Sequence, residues 1–558
     1  MQQDDATSIF EERAENLPRT SLEQWTKLSD RETLAVAKLR GTGAKLLIGP
    51  RGSGKSTLMR VAYYELLDGQ DTLPVYVNYA QHLALEPMFH SRSDATELFR
   101  QWVLGKVVVG TVESLDELGA EHPDDQVIAS SQILVDELQT GQAPSDVEYM
   151  SPSRLTAFLN RVAKSVGRKR VVLLFDDAAH AFSARQQREF FEIFRQMKSR
   201  TIAPKAAVYP GVTSYSANMH IGHDAEMVEA WYRSDDPSFL DTMQDVLSRR
   251  LPSELLEEFT GDRHDFLRYL ALASFGLPRS FLAMIQEVLE YDEDTGKHST
   301  PTRRSAEKAV ERNVDNLRQL FASTGTKIPR YSNLIAEGQR LEQSVIAALR
   351  RMNADRPVES KTITVGFRQP LASQFLQVLN LMAYAGVLRK IETQSRGSAG
   401  MFDRYEMHAG FVIAANALSL GRSPSTRDIV TALTSRSTST LVRGRTETFL
   451  GPDYLSRCTL NLTPCLACGA PRASEDAQFC MRCGKPLTEK SLYKEILQRP
   501  VGDLPIPPKK KAALVKTQLK TIEDILLDVQ FTELIKGRYI GPVWAKRIHS
   551  AAEEYVSV

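Results

Sequence analysis

Residues 49–56 read Gly-Pro-Arg-Gly-Ser-Gly-Lys-Ser, and Thr57 follows. The run sits between an apolar stretch, Lys45–Ile48, and an amphipathic one, Ser56–Leu67. Glycines at this spacing let the backbone curl until successive N–H groups point inward at an anion. The following helix adds positive potential at the same place. Lys55 is then positioned for the β- and γ-phosphates of a nucleotide, and the Ser56 hydroxyl for Mg²⁺. The candidate cradle is Gly49, Pro50, Arg51, Gly52, Ser53, Gly54, Lys55, Ser56 and Thr57. A strand, a phosphate loop and a helix in this order commit the segment to a parallel α/β sheet.

The neighbouring sequence supplies such a sheet. Short runs rich in Val, Ile, Leu or Tyr, bounded by polar or Gly/Pro residues, predict strands at 45–48, 74–78, 170–175, 206–212 and 226–231. Helices are expected at 56–67, 153–166 and 184–197, and the acidic stretch 112–150 is expected to be a turn-rich insertion at the periphery. From 237 to 290 the periodicity is helical only. Residues 336–418 predict two helices, 341–352 and 371–385, then a hairpin of 387–392 and 403–408, an order that suggests a winged helix.

A phosphate site needs an acidic partner at the tip of a neighbouring strand. Val-Val-Leu-Leu-Phe-Asp-Asp at 171–177 provides Asp176 for the hydration shell of Mg²⁺ and Asp177 to orient or deprotonate water. His180, three positions on, reads as a packing or hydrogen-bonding histidine. Thr213 and Ser214 follow the next apolar run and are candidates to sense the γ-phosphate, although hydroxyl residues end many strands. Gly276-Leu-Pro-Arg279 is a turn that feeds an arginine into a helix start. Arg279 there either folds onto the nucleotide or lies on the surface.

All five cysteines fall between Cys458 and Cys483. Cys465-x-x-Cys468 and Cys480-x-x-Cys483, each followed by Gly, match two knuckles of a structural Zn²⁺ site with four thiolates. Such clustering excludes a disulfide-stapled scaffold, and Cys458 reads as a bystander. Beyond a basic Pro-Pro-Lys-Lys-Lys stretch, residues 539–548 resemble a helix-hairpin-helix in which Tyr539 replaces the first glycine and Gly541 keeps the second. Lys536, Arg538, Lys546 and Arg547 offer charge for phosphates, or form a solvated face. A net charge of +1 over 558 residues means that any nucleic-acid surface is local. No apolar run reaches the roughly 18–20 residues that span a bilayer. The amino terminus is acidic and polar, unlike a secretory signal, so cytoplasm is expected.

Phosphate loop, acidic strand end, hydroxyl strand end, Gly-x-Pro-Arg turn and winged helix together resemble the AAA+ ATPases, over about residues 20–420. The likeness is to the origin-recognition and replication-initiator branch and to STAND-like relatives from bacterial defence systems. Together with the cysteine knuckles and the basic tail, it divides the chain into six expected units. Residues 1–235 are a P-loop AAA+ core, 236–335 a helical lid and linker, 336–420 a winged helix and 421–460 a linker. Residues 461–488 are then a zinc ribbon, and 489–558 an all-α helix-hairpin-helix-like module.

The resemblance further implies ATP and Mg²⁺ as ligands, hydrolysis to ADP and phosphate, and catalytic roles for Asp176, Asp177, Arg279 and Ser214. It also implies DNA and a protein effector as partners, and homo-oligomerisation. Two departures point to slow, switch-like turnover. Asp177 stands where initiators carry glutamate, and residues 215–231 contain no arginine to complete a neighbouring subunit's site. Arg195, Arg200, Arg249 and Arg250 are the substitutes. The expected roles are a DNA-engaging switch, a protein-sensing defence regulator, or a loader or regulator of a helicase or transposase.

Overall fold

The computed structural model describes residues 14, 17–79, 94–123, 126–139, 149–178, 184–260, 264–289, 291–292, 297–436, 439–474, 477, 479–487 and 493–556. Its centre is a parallel sheet of β1 (Lys45–Ile48), β2 (Thr72–Asn78), β3 (Arg170–Asp176), β4 (Ile202–Val208) and β5 (Glu226–Glu229). The strand order is β2-β3-β4-β1-β5. All four pairings are parallel, with Ile48 level with Val208 and Phe175 level with Ala206. β4 therefore lies between the strand that enters the phosphate loop and the strand that carries the aspartates. In β3 every residue after Arg170 is buried, as a strand covered on both faces requires.

The helices of this core are α1 (Lys55–Asp68), α2 (Ala95–Glu117), α3 (Gln126–Gln139), α4 (Pro152–Ser165) and α5 (Ala184–Met197). α4 starts where its sequence directs: Ser151 accepts the Arg154 N–H at 3.2 Å, with Pro152 in the first helical position. Within 112–150, expected as a turn-rich insertion, the end of α2 and the whole of α3 are helical, and 124–125 and 140–148 lie outside the described residues. α2 lies close to β2, since a Cβ on Gly110 would stand 2.7 Å from the Tyr76 carbonyl. β4 begins at Ile202, four residues before its expected start. Pro204 and Lys205 are poor strand signals, yet Lys205 is fully buried with its ammonium on the carbonyls of Gly41 and Gly43.

Helices α6 (Phe239–Ser248), α7 (His264–Ala273), α8 (Pro278–Val288), α9 (Arg303–Lys327) and α10 (Ser332–Ala354) follow. A second sheet comprises β6 (Thr364–Arg368), β7 (Leu388–Ser395), β8 (Met401–Met407) and β9 (Val442–Gly444), in the order β9-β6-β8-β7. α11 (Ser373–Tyr384) connects β6 to β7.

The stretch 421–460, expected as a linker, is folded. α12 (Thr426–Thr434) opens with a Ser425/Asp428 capping box, and β9 pairs in parallel with β6. Phe449 meets Phe367 edge-on at 5.2 Å. Its Ser and Thr content misled because part of it caps a helix, while Ile429, Val430, Leu433 and Phe449 supply the core.

At the carboxyl end, α13 (Ile522–Leu527) and α14 (Pro542–Val556) enclose a core of their own that includes Leu504, Leu514, Ile525, Leu534 and Ile548. This unit touches the preceding helices: the Lys327 ammonium is 5.7 Å above the Tyr555 ring. Among the described residues, no helix is long and apolar enough to cross a membrane.

Candidate functional site

The carboxyl ends of β1, β3 and β4 open on one edge of the sheet, where parallel α/β folds bind ligands. The loop from Gly49 to Gly54 curls there before α1. Gly52 and Gly54 have φ of 78° and 90°, a backbone that favours glycine. At Gly49 a Cβ would stand 2.3 Å from the Ala230 carbonyl and 2.5 Å from the Ser53 hydroxyl, so no larger residue fits.

Lys55 is 5% exposed and its ammonium turns back onto the loop, donating to the Gly49 carbonyl at 3.0 Å and the Pro50 carbonyl at 2.9 Å. Burial pushes this ammonium down to about 7, against the pull of Asp177 and Asp176 and with the push of Arg279 and Arg51. The Ser53 hydroxyl is buried and has no hydrogen-bond partner. A phosphate oxygen would satisfy both groups, which is the test that a nucleotide phosphate must pass here.

Asp176 is buried at the tip of β3. Its carboxylate accepts from the Tyr76 hydroxyl at 2.7 Å and from the Asp177 N–H at 3.0 Å. Asp177 turns out of the strand at φ 52°, and its carboxylate accepts from the Tyr209 hydroxyl at 3.0 Å. The Tyr209 ring lies under the Lys55 ammonium at 3.7 Å. One side chain, first after β4, thus joins the lysine to the second aspartate.

Thr213 is engaged through its hydroxyl, and Ser214 is anchored through its backbone. The Thr213 hydroxyl accepts the Tyr209 N–H at 2.9 Å, and the Ser214 N–H donates to Gln187 at 2.6 Å. His180 lies outside the described residues.

Arg279 stands at the start of α8, against the loop: its N–H points to the Gly52 carbonyl at 3.4 Å, and a Cβ on Gly52 would meet its side chain at 3.1 Å. Gly276 makes that approach possible, since a Cβ there would stand 1.9 Å from the Tyr232 carbonyl. The substitute arginines lie elsewhere. Arg195 pairs with Glu192 at 2.6 Å, Arg249 donates to the carbonyls of Gln24 and Thr26, and Arg250 stacks 5.5 Å from the Trp25 ring. Arg200 precedes β4, at the far end of that strand.

The four cysteines meet. Their sulfurs all lie within 4.8 Å of one another, with Cys465–Cys483 and Cys468–Cys480 both at 3.6 Å. Four thiolates about 2.3 Å from a tetrahedral Zn²⁺ stand about 3.8 Å apart, so the group fits.

The two knuckles share one hydrogen-bond pattern: Gly469 N–H to Cys465 O and Gly484 N–H to Cys480 O at 2.8 Å, with Cys465 N–H to Ala470 O and Cys480 N–H to Lys485 O at 2.9 Å. Gly469 and Gly484 make the turn at φ 71° and 68°. Backbone N–H groups of Cys483 and Arg482 hold the Cys480 thiol below its usual range, while the crowded sulfurs of Cys483, Cys480 and Cys465 push the Cys468 thiol up. Cys458 is buried away from the cluster.

In the last unit, Lys510 and Arg547 face the Trp544 ring at 4.7 and 5.2 Å, and Arg538 lies 4.8 Å from the Tyr539 ring. Tyr539 adopts φ 67° where the motif's first glycine would stand. Its carbonyl accepts from Lys510, and Lys536 pairs with Glu533.

No family model and no curated protein matches the chain. Solved structures do. Cdc6p from Pyrobaculum aerophilum is 13% identical, covering 76% of this chain and 97% of its own, at a TM-score of 0.29. The Aeropyrum pernix Orc1 protein in complex with DNA is 16% identical over 72% and 92%, at 0.28. A Drosophila ORC chain, from a complex bound to DNA, is 12% identical over 70% and 95%, at 0.28. What the site can do follows from the residues above.

Two site residues escape a reading by motif. Tyr76 and Tyr209 are aromatic residues in or beside strands, where core packing is the ordinary assignment. The signal for Tyr209 was its position immediately after β4, visible only once that strand starts at Ile202.

Proposed function

We propose that the chain is an ATP-binding switch of AAA+ type that hydrolyses ATP slowly and engages DNA. The observation that carries it is the convergence of Lys55, Asp176, Asp177 and Arg279 on one phosphate loop at the carboxyl edge of a parallel sheet. In this reading Lys55 binds the β- and γ-phosphates. Ser56 and Asp176 hold Mg²⁺, which draws charge from the phosphate oxygens when bound.

Asp177, aimed by Tyr209, takes a proton from the attacking water, and Arg279 steadies the charge that develops on the phosphate. Ser214, anchored through its N–H to Gln187, is the candidate to sense the γ-phosphate through its hydroxyl. The units are those expected from sequence, with 336–420 as a winged helix, except that 421–460 belongs to the folded body. Cys465, Cys468, Cys480 and Cys483 hold a structural Zn²⁺. DNA contact falls to the wing, with Lys390 and Arg396, and to the basic residues of 489–558.

The test is ATP turnover of the wild type against Lys55→Ala, each with and without duplex or single-stranded DNA. Loss of turnover in the variant, with stimulation of the wild type by DNA, is expected. Wild-type turnover equal to that of the variant would refute the ATPase reading, and indifference to DNA would refute the DNA claim.

A second reading has a specific observation behind it. The knuckle tips expose Leu466 (58%), Phe479 (59%) and Met481 (89%). Apolar side chains projecting from a rigid metal-bound turn favour a protein partner, which is what a defence regulator, or a loader of a helicase or transposase, needs.

A further inference from the structure

The helix that a winged helix would send into the DNA groove is α11, and its sequence is Ser-Gln-Phe-Leu-Gln-Val-Leu-Asn-Leu-Met-Ala-Tyr. It contains neither Lys nor Arg. Neutralised phosphates carry most of the affinity of a sequence-tolerant DNA contact, so this helix is poorly equipped for one. Its carboxyl end is committed elsewhere. The Tyr384 carbonyl accepts the Arg51 N–H of the phosphate loop at 3.1 Å. The Tyr384 ring meets Tyr209 edge-on at 5.7 Å, and Tyr209 in turn carries the Lys55 ammonium and the Asp177 carboxylate.

Two closer approaches fix this position. Gly211, in the turn after β4, lies so near the α11 backbone that a Cβ would stand 2.7 Å from the carbonyl carbon of Asn380. Gln377 donates to the Gly211 carbonyl at 2.6 Å. Just past the helix, Gly386 is beside Pro50, with a Cβ there at 3.9 Å. The end of α11 therefore covers both segments that flank the phosphate position, the loop after β1 and the tip of β4.

We infer that the carboxyl end of α11 is the gate of the phosphate site, and that the terminal phosphate of a nucleotide and the docked helix exclude each other. The inference rests on the nucleotide reading of the site. In the docked arrangement the Arg51 N–H is given to Tyr384, and the Lys55 ammonium is satisfied by the loop's own carbonyls and the Tyr209 ring. Ser53 and Asp176 are each 1% exposed, shut from solvent in this arrangement. A triphosphate must draw Lys55 away from those carbonyls, and that movement removes the cation on which Tyr209 rests and loosens Tyr384. Coupling of this kind is reciprocal: docking weakens nucleotide binding by the factor by which the nucleotide weakens docking, so loosening α11 tightens nucleotide binding.

The experiment uses the full chain, with Mg²⁺ and a fluorescent ATP analogue as the probe. Gln377→Ala removes one contact of α11 with the core at a half-buried position and spares the Lys55, Asp177 and Tyr209 cluster. It is expected to bind the analogue at least about 5-fold more tightly than wild type. Amide hydrogen exchange over 373–386 should also quicken when wild type binds Mg-ATP.

Equal or weaker binding by the variant, or slower exchange in the nucleotide complex, would overturn the inference and leave the nucleotide reading standing. If neither protein binds, the nucleotide reading itself falls and the gate with it. A DNA arm completes the test. Gln374→Ala, on the exposed start of α11, should leave affinity for a short duplex unchanged, and a loss would show that α11 serves DNA after all.

Discussion

Replacing Glu406 by Gln removes the centre of a buried ionic joint. The Glu406 carboxylate accepts from Arg389 at 2.5 Å and from Arg436 at 3.0 Å, with side-chain exposures of 1%, 1% and 5%. Arg389 also donates to the Tyr232 carbonyl at 3.0 Å and stacks on Phe275 at 4.7 Å, while Arg436 donates to the Ser234 hydroxyl at 3.1 Å. The joint thus ties β7 and β8 to the segment that leaves β5.

Loss of the carboxylate leaves two buried guanidinium groups with Asp235, 3.8 Å from Arg389, as the nearest remaining counter-charge. One-sided removal of a buried pair costs about 3–5 kcal/mol. Glu392→Gln is the control: Glu392 pairs with Arg404 at 2.9 Å but is 66% exposed, which limits its value to about 1 kcal/mol or less. Urea unfolding followed by tryptophan fluorescence reads both, because Trp231 lies 5.4 Å from Arg389.

The pH dependence has a definite sign. Burial raises the Glu406 carboxyl, but Arg389 and Arg436 overcome it and hold the group below the usual glutamate range. A carboxyl depressed in the fold adds stability above its unfolded value, about 4.3, and loses it as pH falls through the folded value. The gap between wild type and Glu406→Gln should be constant from pH 7 to 5 and shrink below about 4. A loss under about 1 kcal/mol at pH 7, or a gap that widens in acid, would refute this account of the joint.

Three further outcomes follow from the geometry. Tyr209→Phe keeps the ring under Lys55 but frees Asp177, so kcat should fall about tenfold with KM little changed, measured by steady-state ATP hydrolysis. Cys480→Ser should abolish retention of one zinc equivalent per chain in metal analysis while nucleotide binding persists, because the cluster stands apart from the phosphate loop. Gly276→Ala forces a Cβ onto the Tyr232 carbonyl at a positive φ of 77°, and should cost more than about 1 kcal/mol in urea unfolding and weaken nucleotide binding by displacing Arg279.

The legible parts of the site were those whose chemistry imposes a local spacing. A phosphate loop needs its glycines, lysine and hydroxyl within a few residues, and a knuckle needs Cys-x-x-Cys-Gly, so Lys55, Ser56 and the four cysteines stood out. Asp176 and Asp177 were legible because an apolar strand ends on them. Tyr209 was not, since Pro204 and Lys205 masked the start of β4 and carried the expected strand end past it. The folding of 421–460 was hidden because a capping serine and a tether serine have the same composition. The role of α11 is tertiary, and nothing within twelve residues encodes a contact with a loop more than 300 positions earlier.

The joint and the gate are mechanically connected, and this limits how the protein can respond to a nucleotide. Tyr384, whose carbonyl holds the phosphate loop, precedes Arg389, a buried member of the joint, by five residues. A chain that short spans at most about 18 Å when fully extended, and much less through the turn at Gly386. If a phosphate displaces Tyr384 while Arg389 stays anchored, the movement is a small withdrawal of the helix end, with the second sheet left in place. Loosening the joint should therefore make the gate easier to open. Glu406→Gln is expected to tighten ATP-analogue binding, and its effect should not add simply to that of Gln377→Ala, because both act on the same displacement. Strict additivity of the two in a double-mutant cycle would mean that the joint and the gate are independent, and that α11 opens without strain on Arg389.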